Sequence, residues 1–377
     1  MALSDGAQSS SEKVPGRGRR HIVLVLGRRD NPMDGVYDYS ASLARACGPL
    51  GSSVDILEAG WTNSGWLRGA GRLAKELRRR TPCWAVFQVT HLAWSRRGFP
   101  FGLLIVVLAA RLSGARIAAI VHDPLGFPGD TLISRVKRAS QHFVLRFLHR
   151  IASYVFVTVP PECVPWIESS SNRHLIFLPV GSNIPVQVDA TRRNASIAFS
   201  VVVFGVTEGP HGVEQRRAMT EVLRKAAKAV GSVKLYAFGR GTNLTDGAWP
   251  KIDGQVEIHA LGILDGVGAS KVLSQADVML FVRGGISSRR GSAVAGIAHG
   301  LPVVAYRDSE TGWPITEAGV VLVDPGDDES LATAVVRIAT DSSYRNELRA
   351  RSSNAYLRYF AWDVIARTFM ETLAYTQ

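Results

Sequence analysis

The chain has 377 residues, of which 46% are hydrophobic and 20% charged. That is too long for one ordinary domain of roughly 100–200 residues and too apolar for a disordered or fibrous protein. Its three cysteines, Cys47, Cys83 and Cys163, are widely spaced, which excludes a disulfide framework and metal-ligand spacing and suits a reducing compartment. The net charge of +12 is uneven: residues 51–150 carry 15 Lys/Arg against 5 Asp/Glu, whereas residues 151–377 carry 22 of each. A basic N-terminal half points to a polyanionic partner, either an anionic lipid surface or a phosphate-bearing substrate. Nucleic acid is not expected, because no recognition motif and no sheet with paired aromatics is legible.

In chain order, residues 1–20 are polar and basic with no apolar periodicity or signal-like core, and are expected to be a disordered tail. His21 to Gly27 (HIVLVLG) then reads as a buried strand, and Val36 to Leu50 as a helix. Further apolar runs at Val54 to Leu57, Ala85 to Val89, Ile117 to His122, Tyr154 to Val159 and Ile176 to Pro179 alternate with helical patterns. The run from Phe99 to Leu112 is broken by Pro100 and Arg111 and is shorter than the roughly 20 residues that cross a bilayer, so a buried helix is expected there. Leu132 to Arg150 reads as a basic amphipathic helix. Strands alternating with helices indicate a parallel sheet covered on both faces.

The polar stretch from Asn183 to Asn194 interrupts the series and is the linker candidate. The alternation then resumes from Ile197 to Val323 and closes with helical patterns at Asp328 to Ala339, Tyr344 to Tyr359 and Trp362 to Tyr375. The expected organisation is a tail (1–20), a first Rossmann-like domain (21–185), a second one (186–360) and a terminal helix (361–377) that is a candidate to cross back to the first. Two doubly wound α/β domains place the default ligand site in the crevice between them, at the C-terminal ends of the strands.

The segment from Asp277 to Ala305 carries the most chemistry. A strand, Val278 to Phe281, opens into a loop with Gly284, Gly285, Ser287, Ser288, Arg289, Arg290, Gly291 and Ser292 that enters a small-residue helix. Helix N-termini bind anions, and small residues let a phosphate approach closely. Arg289 and Arg290 add charge-assisted bonds suited to a diphosphate. Phe238-Gly239-Arg240-Gly241-Thr242 is a second such turn, with Arg240 as its cation. No metal-ligand spacing, Walker loop or nucleophile elbow is present.

Taken together, Ala298-His299-Gly300-Leu301-Pro302-Val303-Val304, the segment from Gly319 to Asp327 (GVVLVDPGD) and Phe360-Ala361-Trp362 resemble, in order, the C-terminal domain of the large retaining GT-B glycosyltransferases of the group 1 or family 4 type, which elongate bacterial polysaccharides. The resemblance implies an α/β GT-B architecture of two doubly wound Rossmann-like domains, a nucleotide-diphosphate sugar as donor substrate with no cofactor or metal, and a glycan or lipid-linked acceptor. It implies work in the cytoplasm, at the inner face of the cell membrane. Residues Gly35 to Tyr39, with Gly35 and Tyr37 foremost, sit where the family carries a donor-facing glycine loop. His122 and Asp123 end a strand as the family's histidine motif does, and become the candidate catalytic pair. Residues Leu178 to Asn183 look like its Pro-x-Gly crossover.

The chain also departs from the family. Its two glutamates, eight residues apart, fall here on Ser287 and Ala295. Its phosphate-facing Arg and Lys fall in the segment from Gly205 to Gly212, where Val206 and His211 stand. A substitute donor site built on Gly205, Arg240 and the Ser287 to Ser292 loop is therefore expected. A catalytically silent binding subunit and a nucleotide-sugar epimerase of the same architecture are the alternatives. Arg135, Lys137 and Arg138, on the basic amphipathic segment, are the candidate contacts to an anionic membrane.

Overall fold

The computed structural model describes residues 21–29, 34–167, 174–186, 198–243 and 255–374. The expected tail and most of the linker candidate lie outside the described residues.

The first half is a six-stranded parallel sheet. Its strands are β1 (His21–Leu26), β2 (Ser53–Glu58), β3 (Cys83–Val89), β4 (Arg116–Val121), β5 (Tyr154–Val157) and β6 (Leu175–Phe177), in the order β2-β1-β3-β4-β5-β6. Ile22 to Leu26 and Ala85 to Val89 are buried at every position, as expected of strands covered on both faces. Between the strands run α1 (Gly35–Cys47), α2 (Trp61–Ser64), α3 (Trp66–Arg78), α4 (Gly102–Leu112) and α5 (Leu132–Ile151).

The second sheet contains β7 (Phe199–Phe204), β8 (Val233–Phe238), β9 (Val256–Gly262), β10 (Val278–Phe281), β11 (Val303–Tyr306) and β12 (Val320–Val323), in the order β12-β11-β10-β7-β8-β9. Its helices are α6 (Pro210–Val230), α7 (Gly266–Gln275), α8 (Gly291–Ala298), α9 (Asp328–Thr340) and α10 (Ser342–Ala355). One π-helical turn, Tyr356–Phe360, leads into the last helix, α11 (Trp362–Ala374). Helices α6 and α9 cover one face of this sheet, and α7 and α8 the other.

Helix α11 does not stay with the second sheet. Ile365, Ala366, Phe369 and Leu373 pack into one core with Ile22, Leu24, Tyr39 and Leu43, so the end of the chain completes the first half. Trp362 anchors this return by donating its indole N–H to the Ser182 carbonyl at 2.7 Å.

One expectation is overturned. Helix α4 is not fully buried: Leu103, Val106, Val107 and Ala110 face the core, while Phe101, Ile105, Leu108 and Leu112 are exposed, Leu112 at 80%. A helix apolar all round reads as buried, and with no polar stripe its sequence periodicity does not reveal which face is left outside the core.

Candidate functional site

Each sheet reverses its strand order once. In the first sheet the reversal lies between β1 and β3, and in the second between β7 and β10. Loops diverge at these points and leave crevices beyond the strand ends, where ligands of open α/β sheets bind.

At the β7/β10 reversal the chain supplies glycines and arginines. Gly205 follows β7 with φ +81°, a left-handed conformation that suits glycine. A Cβ there would stand 2.8 Å from Arg283 Nη1 and 3.6 Å from the Arg240 carbonyl, so the backbone lies directly under a guanidinium. The Val206 N–H donates to that Arg240 carbonyl at 2.9 Å, which locks the loops after β7 and β8 together. Partial desolvation, and then its neighbour Arg240, hold the Arg283 pKa below the ordinary arginine value. Burial, and then Arg289, do the same to Arg290, whose Nε has no partner among the described residues. An arginine whose charge is opposed first by burial and then by neighbouring cations gains from an anion placed beside it.

A cleft of about 720 Å³ adjoins this cluster, with Arg283, Gly284, Gly285, Arg307, Asp308 and Thr207 in its wall. Its size lies within the range of small-molecule sites. Helix α8 begins beside the cluster, and no side chain caps its first turn, so its first N–H groups add partial positive charge.

The Ser287 to Ser292 loop is divided by the fold. Ser287 and Ser288 are buried and turned inward. Ser288 donates its hydroxyl to the Thr158 carbonyl at 2.7 Å, while its own carbonyl accepts the Val180 N–H at 3.0 Å. This stretch therefore staples the second half to the first. Arg289 donates through Nε to Glu310 Oε2 at 2.6 Å and through Nη1 to Asp123 Oδ1 at 3.2 Å. Burial opposes its charge, but Glu310, with Asp123 behind it, more than compensates and raises its pKa. Arg290 alone of the pair faces the Arg283 side.

On the opposing wall, His122 follows β4. Its Nε2 meets Gln88 Oε1 at 2.8 Å, and its ring stands edge-on to Tyr39 with centroids 4.9 Å apart. An amide oxygen only accepts, so in this arrangement Nε2 carries the proton and Nδ1 keeps a lone pair. Burial, only partly offset by Asp123, lowers the His122 pKa to about 4, so the ring is neutral near pH 7. Gly35 and Tyr37 begin α1, but Asp34 already accepts the N–H groups of Val36 and Tyr37 at 2.9 and 3.1 Å. Arg29 lies 3.7 Å above the Tyr37 ring.

The fold thus brings His122, Asp123 and Arg289 to one crevice and gathers Gly205, Arg240 and Arg290 at the strand reversal. Gly35 and Tyr37 stand at the first sheet's own reversal, and Arg135, Lys137 and Arg138 on α5. Sequence reasoning missed Arg283, Glu310 and Gln88. Gln88 left a signal as the one polar residue in the strand CWAVFQV. Arg283 left a weaker one by following a strand end, and Glu310 left none. Among the described residues no His/Cys/Asp/Glu group is arranged to hold a metal ion.

No family model matches the chain, and neither does any curated protein. Solved structures do. Sucrose-phosphate synthase from Thermosynechococcus elongatus superposes with a TM-score of 0.63 at 16% identity, over 94% of this chain and 98% of that one. A lipopolysaccharide outer core galactosyltransferase gives 0.62 at 11% identity, over 95% and 100%.

The chain has the GT-B fold.

A putative UDP-N-acetylglucosamine 2-epimerase from Listeria monocytogenes also superposes, with a TM-score of 0.59 at 11% identity, over 94% and 96%. The GT-B frame is thus shared by transferases and an epimerase, and the chemistry must be argued from the site.

Proposed function

We propose that this GT-B protein transfers a sugar from a nucleoside-diphosphate donor to a glycan or lipid-linked acceptor in bacterial polysaccharide assembly. The observation that carries the reading is the convergence of Arg240, Arg283 and Arg290 on the glycine-lined β7/β10 reversal, beside the 720 Å³ cleft. Departure of a nucleoside diphosphate builds negative charge on its leaving oxygens. Preorganised guanidinium and N–H donors stabilise that charge where it develops. In this reading neutral His122, beside Asp123 on the other wall, orients the transferred sugar or the acceptor's incoming hydroxyl. Retention at the anomeric carbon follows from the family resemblance, as does an outgoing phosphate that helps to take the acceptor's proton.

A membrane-surface acceptor is favoured by one further feature. Helices α4 and α5, with Phe101 at the start of α4, expose Phe101, Ile105, Leu108, Leu112, Ile133 and Phe143, and α5 also carries Arg135, Lys137 and Arg138. No helix among the described residues is long and apolar enough to cross a membrane, but exposed apolar side chains on a helix that also carries cations suit a peripheral contact with anionic lipid. The absence of carboxylates at Ser287 and Ala295 favours the second reading, a binding subunit that has lost transfer.

A thermal-shift screen against uridine, guanosine, adenosine and thymidine diphosphate sugars tests the donor class, because a bound donor raises apparent stability by mass action. One nucleotide class should raise the transition, and no response to any would remove the proposal. Incubation of that donor with and without acceptor extracts then separates transfer from epimerisation and silent binding.

A further inference from the structure

Glu310 lies in the turn after β11, a segment to which sequence analysis assigned no role. It is 1% exposed. Its Oε2 accepts from Arg289 Nε at 2.6 Å and from Ser287 Oγ at 3.3 Å, while Oε1 is buried with no partner among the described residues. A carboxylate oxygen removed from water without a hydrogen bond is costly, and such exceptions in folded proteins call for a cause.

The turn around it is held firmly. Thr311 Oγ1 donates to the Ile286 carbonyl at 2.6 Å, the Asp308 N–H donates to that same hydroxyl oxygen at 2.9 Å, and the Glu310 N–H donates to Asp308 Oδ1 at 2.8 Å. The carboxylate is therefore fixed, with one oxygen anchored and the other free. Its surroundings belong to both walls of the crevice. Arg290 and Cys163 both feel its charge, Asp308 two residues earlier lines the cleft, and Arg289 links it across the crevice to Asp123.

We propose that Glu310 is the carboxylate that recognises the sugar moiety of the donor, with Oε1 accepting a hydrogen bond from a sugar hydroxyl. The proposal rests on the nucleotide-sugar reading above and names a specificity residue within it. Carboxylates anchored by arginine are effective acceptors for hydroxyl groups, because one oxygen is held while the other keeps its lone pairs.

The test compares a nucleoside diphosphate with its sugar conjugate by titration calorimetry, using UDP with UDP-glucose and the guanosine, adenosine and thymidine equivalents, and keeping the base that binds. Two variants are used: Glu310→Gln, which removes the charge, and Glu310→Asp, which keeps the charge but retracts it by one methylene. In both, affinity for the sugar conjugate should fall at least tenfold. Affinity for the diphosphate alone should stay within about twofold for Glu310→Asp and be unchanged or tighter for Glu310→Gln, which takes negative charge away from the arginines. Wild-type protein that binds diphosphate and conjugate equally overturns the proposal, as does an equal loss of both ligands in Glu310→Asp. Failure of every diphosphate to bind the wild type overturns instead the donor reading on which the proposal rests.

Discussion

His122 links the crevice to the stability of the fold. In the unfolded chain its imidazole takes a proton near 6.5, whereas burial in the folded protein lowers that to about 4. Between these values the unfolded state binds more protons, so stability rises with pH. The contribution is complete above about pH 6.5 and is lost as pH falls toward 4, by an amount of order 3 kcal/mol at 1.36 kcal/mol per unit. Chemical denaturation between pH 4 and 7 should therefore show a shallower acid loss in His122→Gln than in the wild type. Identical pH slopes would mean that the ring is not held neutral by its site. If the ring also serves the reaction, the same variant at pH 7 should turn over on the order of tenfold more slowly, and wild-type turnover would return His122 to a packing role.

The residues show where sequence reasoning reaches its limit. His122 and Arg290 stand at strand and helix ends, positions that hydrophobic patterning predicts directly. Glu310 reaches Ser287 across 23 residues only because β10 and β11 pair in parallel, and no local pattern encodes that pairing. Ser287 and Ser288 read as part of a phosphate-binding loop, but the fold buries them because their hydroxyls find Glu310 and the Thr158 carbonyl.

Among the elements, the buried parallel strands were the most legible, since a strand covered on both faces must be a continuous apolar run. Helix α6 begins at Pro210, six residues before its apolar pattern becomes periodic at Arg216. Proline suits a first helical turn, where its missing N–H costs nothing, but in Gly-Pro-His-Gly it reads as a loop. Helix α4 read as buried because a segment apolar all round has no polar stripe to mark its outer face. Its exposed side chains, with the cations of α5, predict lipid binding. In flotation with liposomes the protein should rise with anionic vesicles, less so at high salt, and less again when Arg135, Lys137 and Arg138 are changed to glutamine. Equal recovery with neutral and anionic vesicles, or none with either, would refute that contact.

Helix α11 predicts a different kind of coupling. Phe369 is fully buried among first-half residues and lies 5.2 Å, centroid to centroid, from Phe156. Phe369→Ala should cost about 3–5 kcal/mol and raise amide exchange in β1, β3 and β4 more than in β7 and β10. Faster exchange in the second sheet alone would contradict the packing described.

At the scale of the molecule, two sheets of like design face each other across a crevice, and their contacts are specific. Arg289 bridges Asp123 and Glu310, Ser288 holds Thr158, and Trp362 returns the chain to Ser182. The two-sheet architecture could be anticipated from the alternation of strands and helices, but the pairing of crevice residues could not, because it depends on how the halves meet. Charge follows the same division, with the basic surplus on the first half and balanced charge on the second, as expected if the first half faces a polyanionic surface and the second a small donor.

The central claim, that the arginines at the β7/β10 reversal hold a nucleoside-diphosphate donor, is tested most directly by calorimetric titration of the responding nucleotide sugar into the wild type and into an Arg283→Ala/Arg290→Ala double variant of unchanged thermal stability. Hydrogen bonds to charged groups contribute about 1.5–3 kcal/mol each. Loss of both arginines should weaken binding by at least roughly 2 kcal/mol, about thirtyfold. Equal affinity in the two proteins would contradict the account.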